Sequence, residues 1–454
     1  MRRYIRFMNS YWCEAAWLGR GQVEPGILID TADGFVSAVV AGVAAPPPGA
    51  KRLTGLTLPG FANAHSHAFH RALRGRTQAG TGTFWTWREQ MYEVARRLDP
   101  DACYALARAT YGEMALSGVS AVGEFHYLHH QPDGTPYVNP NAMGEAILAA
   151  AADVGIRITL LDSCYLHGGL SADGYLPLGE DQRRFGDGSV DGWVQRVEGL
   201  RSGLLAQIGA AVHSVRAVDP AAIAEVAAWA EGREAPLHVH LSEQPRENEQ
   251  CAASHGCSPI GLLAGLGVLR EGLTAVHGTH LTPADVGLLG AAGVGVCMCP
   301  TTERDLADGI GPSGALAAAG SPLSLGSDSH AVIDMFEEAR AVELHQRLAS
   351  LERGTHGVDD LLAMATVNGY RALGWSGGGV LEPGALADMV TVALDSVRLA
   401  GAEAETAMAS IVFAASAADV TDLVVAGEVV VKDRAHVSVD VANELAEAVR
   451  LVTS

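Results

Sequence analysis

No uninterrupted apolar stretch of about 20 residues occurs in this chain, which argues against a membrane-spanning helix. Its 48% hydrophobic content comes largely from Ala and Val. A secretion-signal core is missing too: the opening MRRYIRFMNSYWCEAAW begins with arginines, but polar and acidic residues break it up, so a cytoplasmic location is expected. Cysteine is sparse and unpaired in pattern. The seven cysteines form an odd count, scattered through apolar segments (Cys103, Cys164, Cys297) without the spacing of a disulfide framework or zinc ribbon. The close pairs Cys251/Cys257 and Cys297/Cys299 read as core or loop thiols. Positive charge is in short supply as well, 31 Lys and Arg against 52 Asp and Glu, for a net charge of −21. Nucleic acid and anionic membrane are therefore excluded as expected partners. A few arginines inside a cleft can still reverse the local field for an anionic substrate. No short-period repeat or low-complexity tract is present.

With 454 residues, the chain can hold one large unit and a smaller companion. The first 55 or so residues read as short strands (GILID, FVSAVVA) broken by Gly and by Pro46 to Pro48. The last 70 or so resume that character in LADMVTVAL, VTDLVVAG and EVVVKD, followed by a short helix in ANELAEAVRLV. The two ends are expected to pair. Between them, strand-length apolar runs alternate with Ala- and Leu-rich helical segments, the pattern of repeated βα units. Eight such runs are found: TLPGFANAH, VSAVGEF, RITLLD, AQIGAAVH, PLHVHL, LTAVHG, VGVCMC and PLSLGSD. The expected class is α/β, a (β/α)8 TIM-type barrel over residues 58–382 with a small β-sandwich from residues 1–57 and 383–454. Most runs end in or beside a titratable residue: His65, Glu124, Asp162, His213, His240 with Glu243, His277, and Asp328. Barrel active sites form at the carboxyl ends of the strands, which gives this clustering a structural reason.

The stretch FANAHSHAFHRALRGR places His65, His67 and His70 at one such end. In an extended strand, residues i and i+2 share a face, so His65 and His67 can approach one ion together. His-x-His alone is a weak signal. It strengthens because other strand ends supply His240, His277 and Asp328, a mixture of imidazoles and carboxylate that suits Zn²⁺ or Fe²⁺ better than Mg²⁺ or Ca²⁺.

HSH at 65–67, HVHLSE at 238–243, HGTHL at 277–281 and GSDSH at 326–330 resemble, in order and spacing, the metal and catalytic motifs of the amidohydrolase superfamily. Within it, AHSHAFHRALRG, FWTWREQMY, GEFHYLHH, HSVRAV and CPTTERDLADG are similar to formimidoylglutamate deiminases. The resemblance runs from about residue 56 to 385 and on through EPGALADMV. It implies one metal ion held by His65, His67, His240 and Asp328, with Zn²⁺ the first expectation and Fe²⁺ another. It implies hydrolysis of N-formimino-L-glutamate to N-formyl-L-glutamate and ammonia, in histidine degradation. Glu243 would shuttle protons to nitrogen, Asp328 would take the water proton, and His277 would orient the nucleophile and stabilise the tetrahedral intermediate.

A dicarboxylate substrate calls for arginine. Arg88 and Arg216 match the family's carboxylate-binding positions, and Tyr127 and His213 its polar partners; His70 would also face the substrate. Two departures bear on substrate choice: His70 stands where Gln is common, and Val212 where Pro often precedes the strand-four histidine. Glu303 reads equally as a contact to the formimino nitrogen or a loop cap, His238 as barrel interior, and His280 as beyond its strand. His330 reads as a support for the metal shell or a structural residue. The polar, Gly-rich segment 163–193 reads as a lid, an oligomer contact or a mobile insert. Another N-formimino amino acid, such as N-formimino-L-aspartate, and a nucleobase or nucleoside amine are the competing substrates, and a non-catalytic scaffold is the competing class. Base rates and the resemblance point to a homodimer.

Overall fold

The computed structural model describes residues 8–453; the first seven residues of the opening stretch lie outside the described residues. All eight runs contribute a barrel strand. In chain order these are Phe61–Ser66, Val119–His126, Arg157–Cys164, Ala206–Ser214, Leu237–Leu241, Leu273–His277, Gly295–Met298 and Leu323–Leu325. Each is parallel to the next. A parallel bridge between Ser66 and Asp328 joins the last strand to the first. The continuous apolar character of these runs follows from burial on both faces, with helices outside and packed side chains within. Helix starts are explicit in the sequence. Asp99-Pro100, Asp219-Pro220, Ser258-Pro259 and Thr282-Pro283 each place a side-chain acceptor ahead of a proline whose φ already suits the first turn.

The amino-terminal end of the barrel is plugged by the segment after the last strand. Tyr370 and Leu373 pack against Ala62, Ala64 and Ala121 inside the barrel. The Thr159 hydroxyl donates to the Leu373 carbonyl (2.7 Å), and His238 Nε2 donates to the Ala372 carbonyl (2.8 Å). His238 therefore belongs to the interior, as expected. Gly123 leaves the room for this plug: a Cβ there would lie 2.4 Å from Leu373 Cδ2 and 2.7 Å from the Ala64 carbonyl.

The chain ends pair, as expected, and they do so in one continuous eight-stranded sheet. Lys51–Pro59 is its central seam, parallel to Met8–Ala16 on one side and antiparallel to Met389–Val392 on the other. The run read as TLPGFANAH is therefore two strands. Its first residues belong to this end sheet, and only Phe61 onward enters the barrel. Arg157 on the third barrel strand anchors the sheet through a buried ion pair with Asp388 (2.7 Å), which also accepts from Tyr370 (2.7 Å).

Segment 163–193 is folded rather than a loose insert. Ser163 and Cys164 end a barrel strand, a short hairpin (Gly169–Ser171, Gly174–Leu176) and a 3-10 turn (Glu180–Phe185) follow, and Trp193 is fully buried. The Trp193 indole and the Arg196 guanidinium both donate to Asp162. Among the described residues no helix is long and apolar enough to cross a membrane, and all seven cysteines are free thiols.

Candidate active site

The first and fifth barrel strands bring three imidazoles to one point. His240 Nε2 lies 3.1 Å from His65 Nε2 and 3.3 Å from His67 Nε2. Asp328 Oδ1 lies 3.4 and 3.5 Å from the same two nitrogens of His65 and His67. The opposite ring atoms decide the tautomers. His67 Nδ1 faces the Phe125 carbonyl (2.8 Å) and His240 Nδ1 the His213 carbonyl (2.9 Å). A carbonyl can only accept, so both Nδ1 atoms carry the proton and both Nε2 atoms present bare lone pairs to each other. Facing lone pairs at this distance repel unless a cation lies between them. The spacing matches the edge of about 3.3 Å expected for a tetrahedron with bonds of about 2.0–2.1 Å. Burial pushes His65 down to about 3 and lowers His67 and His240, which keeps the rings neutral and able to ligate. These residues fit a divalent metal ion.

Beside this cluster, His277 ends the sixth strand with its ring 3.7 Å from Glu243, 3.6 Å from Glu303 and 3.9 Å from Asp328. Burial alone would lower its pKa. The surrounding carboxylates, Glu243 foremost, outweigh it and hold the ring well above the ordinary value. The 3.6 Å approach of Glu303 is an ion-pair distance, too long for a hydrogen bond. Burial pushes Glu243 up to about 7, with His277 lowering it and Asp328 raising it further. Burial also raises Asp328, but His65 and His277 hold it well below the usual carboxylate range. Ser242, His277, Asp328 and His330 all have positive φ (53°, 72°, 43° and 58°). Strain of this kind collects where a backbone must aim side chains into a site.

Above the cluster is a cavity that brings the five expected substrate residues together. His70, Arg88, Tyr127, His213 and Arg216 line it along with His67, His240, Glu243, His277 and Asp328. His65 lies beneath and is fully buried. Arg88 sits on the helix Phe84–Arg96, where its Nε donates to Tyr92 Oη (2.6 Å). Arg216 is held by Glu247 (3.3 Å), and His70 pairs with the Tyr127 hydroxyl (3.0 Å). The helix carrying Arg88 also supplies Phe84, Trp87, Met91 and Tyr92 to the wall, so one helix presents both an apolar surface and a guanidinium to the cavity.

Sequence reasoning did not single out Tyr165 or Phe185, yet both line the cavity. Tyr165 and Phe185 come from segment 163–193, so that segment furnishes a wall of the site. Glu303 caps the turn after the seventh strand by accepting from the Cys299 amide (2.9 Å) while facing His277. His280 lies past its strand, bonded to the Asp308 carbonyl (2.8 Å). His330 does not touch the Asp328 carboxylate among its hydrogen-bond partners; it pairs with Ser66 (3.1 Å) and Ser327 (3.0 Å). A second histidine group, His126 and His129 with Asp162, is less suited to a cation because Arg196 already occupies both oxygens of Asp162.

A barrel with this constellation at its carboxyl-terminal face defines a hydrolase, and the chain belongs to the amidohydrolase family, whose model matches residues 56–430. It is a hydrolase acting on C–N bonds. The chain is 36% identical to formimidoylglutamate deiminase of Pseudomonas aeruginosa over 442 residues, covering 94% of this chain and 96% of the relative. It is 30% identical to 5-methylthioadenosine/S-adenosylhomocysteine deaminase of Natronomonas pharaonis over 400 residues, covering 87% and 86%. The crystal structure of an amidohydrolase from Brucella melitensis superposes with a TM-score of 0.88 at 32% identity, covering 98% of this chain and 100% of that one.

Proposed function

We propose that the protein hydrolyses N-formimino-L-glutamate to N-formyl-L-glutamate and ammonia, using one divalent ion, Zn²⁺ or a similar metal, held by His65, His67, His240 and Asp328. The observation that carries this reading is the pair of guanidiniums, Arg88 and Arg216, lining the cavity over the facing imidazole lone pairs. The 36% identity to the deiminase supports the same substrate. A nucleoside amine is the second reading, favoured by the aromatic wall of Tyr127, Tyr165 and Phe185 and by the nucleoside-deaminating relative. An uncharged base would leave the guanidinium of Arg88 without a carboxylate, whereas a dianion gives both arginines partners.

When bound, the ion supplies a water activated for attack at neutral pH. The chain's own residues do the rest. Arg88 and Arg216, with Tyr127 and His213, hold the two carboxylates and so place the formimino carbon below them. Asp328 receives the proton of the attacking water. His277, kept protonated by its carboxylate neighbours, donates a hydrogen bond to the oxygen as negative charge develops there. Glu243, poised near neutrality, gives its proton to the imine nitrogen; the proton that Asp328 took from the water then passes to the same nitrogen as the C–N bond breaks and ammonia leaves, and Glu243 regains a proton from the hydroxyl as the carbonyl forms. His70 donates to or accepts from the substrate as its tautomer allows.

The decisive experiment is ammonia release from N-formimino-L-glutamate by protein of measured metal content, with N-formimino-L-aspartate, guanine and adenosine alongside. Release from formiminoglutamate that is lost on chelation and restored by Zn²⁺ is expected. Turnover of a base or nucleoside instead would show that Arg88 and Arg216 serve another purpose.

A further inference from the structure

Glu124 lies near the carboxyl end of the second barrel strand, is 2% exposed, and has no part in the chemistry above. Its two oxygens reach around His67. Oε2 accepts from the Ser66 hydroxyl (2.6 Å) and Oε1 from the Ala68 backbone amide (2.7 Å), the residues immediately before and after that histidine. Ser66 Oγ continues to His330 Nε2 (3.1 Å), His330 Nδ1 to Ser327 Oγ (3.0 Å), and Ser327 Oγ accepts from Asn63 Nδ2 (2.6 Å). The chain of contacts therefore runs from the second strand through Ser66 and His330 to Ser327, the residue next to Asp328, and back to Asn63 on the first strand. The backbone follows the same path: the His67 amide donates to the Asp328 carbonyl (3.2 Å) and the Asp328 amide to the His65 carbonyl (3.0 Å).

We propose that Glu124 is a positioning residue: it holds the Ser66 hydroxyl before His67 and the Ala68 backbone amide after it and, through Ser66 and His330, keeps the His65–His67 segment in register with Asp328. This inference rests on the metal-site reading above. A ligand's supporting hydrogen bonds set its aim, and their loss typically costs 10- to 100-fold in metal affinity. Here one carboxyl holds the residues on both sides of His67 and reaches the loop of the carboxylate ligand through Ser66, His330 and Ser327. The role is geometric. A glutamine at position 124 keeps an acceptor for the Ala68 amide and a polar partner for Ser66, whose hydroxyl can turn to His330.

The experiment measures Zn²⁺ affinity of apo protein by competition with a chromophoric chelator, together with the thermal midpoint of the apo form. Glu124→Met, close in volume but unable to accept, should bind Zn²⁺ about 10- to 100-fold more weakly. Ser66→Ala should fall toward the lower end of that range, and Glu124→Gln should stay within a few fold of the parent. Ser66→Ala removes one hydroxyl and decides the matter if Glu124→Met does not fold. Parent-like Zn²⁺ affinity in both Glu124→Met and Ser66→Ala, with only the apo midpoint lowered, would reduce Glu124 to a structural residue and overturn the proposal. So would Glu124→Gln binding as weakly as Glu124→Met. His65→Ala reports on the metal site separately: parent-like binding there would place the ion elsewhere and remove both readings.

Discussion

Replacing Arg216 by Met separates substrate binding from the metal chemistry, provided that its partner is treated at the same time. The Arg216 guanidinium is nearly buried, and its Nε sits 3.3 Å from Glu247, whose side chain is fully buried. Glu247 Oε1 accepts from the Ser242 amide (2.9 Å), so Arg216→Met alone strands the other oxygen next to Glu243. Breaking a buried pair from one side costs about 3–5 kcal/mol, which would blur any kinetic reading. The double variant Arg216→Met/Glu247→Gln removes the guanidinium while leaving no uncompensated charge. A hydrogen bond to a charged group is worth about 1.5–3 kcal/mol. At about 1.4 kcal/mol per factor of ten, KM for N-formimino-L-glutamate should rise about 10- to 150-fold. The fall in kcat should be smaller than the rise in KM, because Arg216 is assigned to a carboxylate and not to the reacting carbon. Steady-state kinetics with protein of parent-like metal content gives the answer. An unchanged KM in the double variant would refute the assignment of Arg216 to a substrate carboxylate.

Asp328→Asn and His65→Ala should each abolish turnover and lower bound metal, measured by elemental analysis, with a circular-dichroism spectrum like that of the parent; full activity in either would remove these residues from the ligand set. Glu243→Gln should lower kcat/KM by about 100-fold or more while metal content stays unchanged, the range expected for loss of a general acid–base; a change of only a few fold would assign the proton transfer elsewhere. Arg196 joins two buried carboxylates away from the reacting centre. Burial raises Asp162 and Asp187, but the Arg196 charge for Asp162, and hydrogen bonds from His130 and Arg196 for Asp187, hold both below the ordinary value. A carboxyl depressed in the folded state contributes stability above its unfolded pKa of about 3.9 and loses it as pH falls further. Arg196→Met should therefore cost about 3–5 kcal/mol near neutrality and flatten the fall in stability below about pH 4. Urea midpoints across pH that match the parent's would refute this account.

Much of the site was legible because the barrel converts local pattern into position. A strand-length apolar run ends at the catalytic face whatever its neighbours are, so HSH, HVHLSE, HGTHL and GSDSH pointed to the residues that now meet around one point. The eight strands and the pairing of the chain ends were readable for the same reason: alternation and run length are properties of a few consecutive residues. Where one strand passes into another without a turn signal, as at Pro59 and Phe61, the pattern ran the two together.

What sequence alone determined, then, was which residues reach the strand ends and which resemblance they carry. Tertiary structure decided the protonation pattern and the second layer of contacts. Carbonyls of Phe125 and His213, far away in the chain, assign the tautomers of His67 and His240. Tyr165 and Phe185 face the cavity only because segment 163–193 folds back against the barrel, and Glu124 meets Ser66 only because the first two strands pair in that register. Such partners are separated by tens to hundreds of residues, and periodicity, which relates a residue to its near neighbours, holds no information about them. Hydrogen-bond direction depends on which groups the barrel's register places opposite one another, and that is settled only when the strands have closed.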